Sequence, residues 1–190
     1  TKTDAMEQLM EHIPYLEQVY FAGGEPLIME EHYIILEELI KRKMTDVRLI
    51  YNTNFSRTAF KKNDAIEMWS HFKNVSVGAS LDAEGIRGEY QRKGTVWEDV
   101  VDNIKRLRTT SPEVDFYISA TVSAYNAWHI TDFHRNWVEA GYIKPGDWYV
   151  NVLLNNPRFR MSVLPQVFKE EIKAKWQKHL RWLEPVSYTH

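Results

Sequence analysis

The chain has 190 residues, of which 44% are hydrophobic and 26% charged, with a net charge of −2 at pH 7. That length and composition suit one domain with a sizeable core, and the charge excludes a general polyanion binder. Cysteine is absent, which excludes a disulfide scaffold or a thiolate metal site within these residues.

The opening stretch TKTDAMEQLMEHI reads as an amphipathic helix and lacks the pattern of a signal segment. Residues 17–23, EQVYFAG, read as a strand, and 30–43 as a helix with Tyr33, Leu36, Leu39 and Ile40 at helical spacing. Residues 46–53 give a second strand. A helix over 62–72 follows, capped by Asn63 or Asp64. A third strand spans 74–81. The helix over 95–110 has Thr95 as its expected N-cap, with Glu98 completing a capping box. A fourth strand covers 113–123. The helix over 130–141 carries Thr131 near its start and Gly141 at its end. A fifth strand covers 148–154, and a last helix, 166–183, stands behind Pro165.

Strands and helices therefore alternate, which is the pattern of repeated βα units and a parallel α/β sheet. An open doubly wound sheet and a βα barrel both fit this periodicity. Such sheets usually begin with a strand, whereas this chain begins with a helix, so a preceding strand is expected to be missing. No apolar run approaches the roughly 18 residues of a membrane span, so no membrane partner is expected, and a cytoplasmic location is.

Ligands of parallel βα folds sit at the carboxyl ends of the strands. The first strand ends in AGGEP. Gly23 and Gly24 permit a sharp turn and close backbone approach, and Pro26 biases Glu25 toward an extended conformation. A carboxylate here repels phosphate; it suits a cation, such as an ammonium group, or is the exposed acid of a plain strand-to-helix turn. The second strand ends in Asn52, Thr53 and Asn54, whose amides and hydroxyl serve a ligand or the turn itself. The third ends in Ser80, Leu81 and Asp82, with Ser80 and Asp82 on one face and Leu81 on the other. Arg87, Arg92 and Lys93 precede the next helix as a basic loop. An arginine there can hold a carboxylate bidentately; three basic residues make too weak a patch to expect nucleic acid. The fourth strand closes with Thr121, Val122, Ser123 and, beyond it, Asn126, where Val122 offers an apolar contact to a flat ring. The seven histidines are scattered, none at metal-binding helical spacing with another, and read as surface or core-edge residues.

In this order, GGEP, N-T-N, S-L-D and R-K-G resemble the radical S-adenosylmethionine (SAM) superfamily over about residues 5–140, and in particular its peptide-modifying branch, which often carries a twitch or SPASM extension. The resemblance implies a partial (β/α)6 TIM-like barrel over 1–155 with its first strand missing, and a C-terminal helical segment over 156–190 leading toward a further extension. It implies that Gly23, Gly24, Glu25 and Pro26 hold the methionine ammonium of SAM and that Asn52, Thr53 and Asn54 line the pocket. Ser80 and Asp82 then lie beside the ribose and carboxylate, Arg92 pairs with the carboxylate, and Val122 and Asn126 flank adenine. The implied cofactors are SAM and a [4Fe–4S] cluster, and the implied reaction is reductive cleavage of SAM to a 5′-deoxyadenosyl radical that takes hydrogen from a substrate such as a peptide. With those cofactors comes an expectation of iron–sulfur and metal-binding character. The family's C-x3-C-x2-C loop is absent. The expectation is therefore a fragment that is inert by itself, with no metal ligands and no assignable catalytic residue. A cluster-free, non-catalytic SAM- or peptide-binding relative is the alternative. An unrelated βα enzyme acting on a phosphorylated sugar would need anion-binding glycines near the late strands; Gly146 lies there, but before the fifth strand.

Overall fold

A computed structural model describes residues 2–184, with side chains described from residue 6. The helices are α1 (Lys2–His12), α2 (Glu30–Lys41), α3 (Ala65–Trp69), α4 (Gly85–Gln91), α5 (Trp97–Thr110), α6 (Ile130–Glu139) and α7 (Gln166–Leu183). The strands are β1 (Gln18–Phe21), β2 (Arg48–Thr53), β3 (Ala59–Phe60), β4 (Asn63–Asp64), β5 (Val75–Ala79), β6 (Asp115–Val122) and β7 (Trp148–Val152). Five strands form one sheet in the order β1-β2-β5-β6-β7, and β3 and β4 form a separate antiparallel pair. The chain divides into two compact units. One holds the residues up to Ala79 together with Asp99–Phe116; the other holds Ser80–Glu98 and the residues from Tyr117 onward.

In the first unit β1 pairs with β2, and β2 with β5, both in parallel. Alternation along β2 buries Leu49, Tyr51 and Thr53 while Arg48 and Asn52 stay exposed, the period-two pattern of a strand. The helices follow the period of 3.6 instead. On α5 the buried positions are Val100, Asn103, Ile104 and Leu107, one stripe in which each aliphatic side chain contributes about 1.5–3 kcal/mol by leaving water. Asn103 is the polar member of that stripe. Its amide donates to the Phe55 carbonyl at 3.1 Å and its Oδ1 accepts from the Thr58 hydroxyl at 3.2 Å, so its burial leaves no amide atom stranded. Asp64 caps α3, as its place before an apolar run predicts, accepting from the N–H groups of Ile66 and Glu67 at 2.9 and 3.2 Å.

In the second unit β6 and β7 pair in parallel, from Ile118 against Trp148 to Val122 against Val152. On α6 the buried set is Ile130, Thr131, Phe133, His134 and Trp137. Gly141 ends the helix with φ at 73°, a left-handed turn that glycine takes without strain.

The structure corrects three expectations. Residues 85–91 form helix α4 where a basic loop was expected, because its two glycines and charged residues hide the helical period. The expected cap of α5 also fails: the helix begins at Trp97, whose N–H donates to Glu89 Oε1 at 2.8 Å, so a side chain from α4 takes the place of the Thr95–Glu98 box. Finally, His32, His134 and His179 are buried rather than peripheral. Among the described residues no helix is long and apolar enough to cross a membrane.

Candidate functional site

Each unit carries one cluster of the residues singled out in the sequence. In the first, Gly23 and Gly24 both have positive φ, 82° and 47°, with open space where side chains would stand. They turn the chain out of β1, and Glu25 follows in extended conformation, φ −132° and ψ 104°, as the following proline requires. Pro26 and Leu27 are buried beneath it. The Glu25 carboxylate is held by donors on both oxygens: Oε1 accepts from Thr53 Oγ1 at 2.5 Å and from the Leu27 N–H at 3.3 Å, and Oε2 accepts from the Asn54 N–H at 2.7 Å. Thr53 and Asn54, at the carboxyl end of β2, thus clamp the acid after β1. Asn52 points to the opposite face and donates to the Tyr20 hydroxyl at 2.6 Å, apart from that clamp.

The turn after β2 contains a feature that sequence reasoning missed. Phe55 is fully buried with φ at 55°, a left-handed conformation unusual for a bulky residue. Its N–H donates to Thr53 Oγ1 at 2.9 Å, and its carbonyl accepts from Asn103. Thr53 Oγ1 is therefore a relay, receiving from Phe55 and donating to Glu25. Asn54 Oδ1 accepts from the Ser56 N–H and hydroxyl at 2.9 and 2.6 Å, the Asx-turn chemistry open to any asparagine here.

In the second unit Ser80 and Asp82 are half-buried on either side of buried Leu81. Asp82 is the hub. Its Oδ1 accepts from the Thr121 N–H at 2.8 Å, and its Oδ2 lies 2.8 Å from Arg92 Nη2. Arg92 caps the carboxyl end of α4, and its Nε is buried without a partner. Asn126, fully buried, donates to the carbonyls of Asp82 and Thr121 at 2.7 and 2.9 Å and accepts from the Ser123 N–H at 2.8 Å. Val122 is buried beside it in sequence at the end of β6. Glu84 lies just beyond Asp82 and accepts from Asn136 Nδ2 at 2.6 Å; burial pushes its pKa above the usual carboxylate range.

The expectation of iron–sulfur and metal-binding character is overturned for this chain. There is no cysteine in the sequence, and among the described residues no group of three histidine, aspartate or glutamate side chains is placed to hold a metal ion. The residues present do not fit an iron–sulfur cluster.

No family model matches the chain, and no curated protein matches it. Solved structures do. Native anSMEcpe with bound AdoMet and a Kp18Cys peptide aligns at a TM-score of 0.53 and 16% identity, over 80% of this chain and 42% of that one. Native anSMEcpe with bound AdoMet aligns at a TM-score of 0.50 and 16% identity, over 78% of this chain and 42% of that one. The chain thus spans less than half the length of these structures, and at this identity the likeness is one of fold.

Proposed function

We propose that the chain is a SAM-binding segment of the radical SAM type, built as a partial (β/α)6 barrel over 1–155 with a C-terminal helical segment over 156–190, of which 185–190 lie outside the described residues. The observation that carries this reading is the glycine turn and clamped carboxylate at Gly23–Glu25. Three donors fix the Glu25 carboxylate, none of them cationic, and at the two preceding glycines no atom stands within 4 Å of where a Cβ would be. That is a preorganised acceptor for an ammonium group. The fold likeness to anSMEcpe, solved with AdoMet and with a peptide, supports the reading at the level of the fold; membership of the peptide-modifying, twitch/SPASM-like branch and a peptide substrate are the finer part of the proposal.

In this reading Gly23, Gly24, Glu25 and Pro26 receive the methionine ammonium, with Thr53 and Asn54 as lining; Asn52, on the opposite face of β2, is not part of that lining. Ser80 and Asp82 serve the ribose and carboxylate. Arg92, whose Nη2 lies 2.8 Å from Asp82 Oδ2, pairs with the carboxylate, and Val122 and Asn126 serve adenine. Bound SAM supplies a sulfonium whose attached carbons are activated for transfer or reductive cleavage. These 190 residues have no thiolate to hold an electron-donating cluster, so the chain binds and orients, and no reductive step is assigned to it.

Titration calorimetry with SAM tests the proposal. Saturable binding is expected, weakened by about 1.5–3 kcal/mol in Arg92→Ala, the range for a charge-assisted hydrogen bond, and weakened also in Glu25→Gln. Lys93→Ala, an exposed neighbour, should bind as wild type does. No saturable binding, or unchanged affinity in Arg92→Ala, would remove these residues from the site. Formation of 5′-deoxyadenosine by this chain under reducing conditions would overturn its assignment as inert.

A further inference from the structure

Helix α7 carries five lysines and arginines against two glutamates, in a chain whose net charge is −2. Of its 18 residues only His179 is buried, so the helix lies on the second unit with most of its surface open to solvent. Together with the preceding turn, Met161–Val163, and Leu164 it forms an open groove of about 330 Å3. Met161, Leu164, Ile172 and Trp176, all half-buried, line the groove with apolar surface, and Lys169 and Lys173 line it too. A lysine covers apolar surface with its alkyl stem and keeps its ammonium in water, so the charge stands at the mouth of the groove. No acidic residue lines it.

Trp176 is pinned in place. Its Nε1 donates to the Ala127 carbonyl at 2.9 Å, which uses the one donor of the indole and leaves apolar ring surface for the groove. The two lysines stand one helical turn apart, a separation of about 5–6 Å between their Cβ atoms, so one carboxylate can meet both. Among the described residues neither lysine has an acidic partner, whereas Lys175 on the same helix pairs with Asp132. Further along this side of the helix stand Trp176 and then Leu180, 56% exposed, rather than more cations. The charge therefore suits one anionic head, not a row of them. The volume lies at the lower end of the roughly 300–1,000 Å3 of small-molecule sites.

We propose that this groove binds a small amphiphilic carboxylate, with its apolar arm along Ile172 and Trp176 and its single anionic head between Lys169 and Lys173. None of these residues belongs to the SAM-binding set, so this proposal and that one fail separately.

The test uses the full chain and three probes that share one arm and differ in charge: phenylbutyrate, phenylbutanol and phenylbutylamine. NMR follows the Trp176 indole N–H, assigned by its loss in Trp176→Phe. Phenylbutyrate is expected to shift it saturably and to bind about twofold to thirtyfold more tightly than the alcohol, the worth of two exposed ion pairs, with the amine weakest. Added salt should shrink that preference. The double variant Lys169→Gln with Lys173→Gln should abolish it and keep the alcohol, whose retained binding reports an intact groove. Lys178→Gln, outside the lining, should change nothing. The proposal is overturned if neither acid nor alcohol gives a saturable shift, if the amine binds as well as the acid, or if the double variant keeps the preference. It is overturned also if a helical peptide of leucine and glutamate shifts Trp176 at lower concentration than phenylbutyrate does, which would assign the groove to an acidic protein segment. A Trp176 signal that moves with protein concentration alone would overturn it in favour of a second copy of the chain.

Discussion

A Cβ built on Gly88 would stand 2.6 Å from the Ala83 carbonyl oxygen and 3.1 Å from Trp97 Cε3. The first of these is backbone and cannot swing aside. Gly88 also accepts from the Arg92 N–H at 2.9 Å, so the same close approach sets where α4 ends and where the arginine that meets Asp82 begins. Gly88→Ala should destabilise the protein by about 1–3 kcal/mol, the usual cost of overpacking. Gly146→Ala, with nothing within 4 Å of the new atom, should stay within about 0.5 kcal/mol of wild type. Urea unfolding of the two variants checks this; equal midpoints would mean that α4 moves freely. At this scale the sequence was readable where one residue type has one use. Gly23, Gly24 and the extended Glu25 follow from AGGEP by elementary sterics. Phe55 does not, because nothing in its neighbourhood announces a left-handed phenylalanine; its conformation depends on Asn103, 48 positions away, and a lone asparagine in an apolar stripe gives no sign of its partner.

Among the elements, those with full amphipathic periods, α2, α5, α6 and α7, were legible in the sequence. The β3–β4 pair has two residues per strand, too short for a period to show. Histidine was misread because an isolated ring on a helix looks alike whether it faces water or core. Its burial has a measurable consequence. Burial, together with the nearby His179, lowers the His134 pKa to about 4, against the partly offsetting Pro145 carbonyl. His179 is lowered as well, by burial and by Arg135, with Asp132 opposing. An unfolded histidine titrates near 6.5, so between about pH 6.5 and 4 the unfolded chain binds protons that the folded one refuses. Stability is then fully present above pH 6.5 and falls as the pH drops toward 4. The loss from His134 is on the order of 2 kcal/mol. His32, lowered by burial to about 3, adds a slope of the same sign. Urea unfolding at pH 7.5 and 5 should show the drop, and His134→Gln should flatten part of it. An unchanged slope in that variant would place the whole effect on the other histidines.

For the whole molecule, the alternation of strands and helices predicted the parallel pairing but left the order of the strands open, because a doubly wound sheet and a βα barrel share that alternation. It did not predict the division into two compact units, since the residues on either side of the division at Ala79 continue the same βα pattern without a linker or a change in composition. The order β1-β2-β5-β6-β7 leaves β1 and β7 as its ends. On β7, Tyr149, Val150 and Val152 are 58%, 44% and 54% exposed, and Leu154 beyond it is 69% exposed. An apolar strand with unpaired N–H and C=O groups along one side is a template for another chain, and no charged side chain on β7 opposes that pairing. The chain is therefore expected to self-associate as its concentration rises. Val152→Lys places a charge on the exposed end of the strand while changing little that is buried, so its unfolding free energy should stay within about 0.5 kcal/mol of wild type. Sedimentation over a concentration series separates the possibilities. Association that weakens in Val152→Lys assigns the contact to this edge. Association that persists unchanged assigns it elsewhere, and a wild-type chain that stays monomeric throughout would show that the bare edge is tolerated in solution.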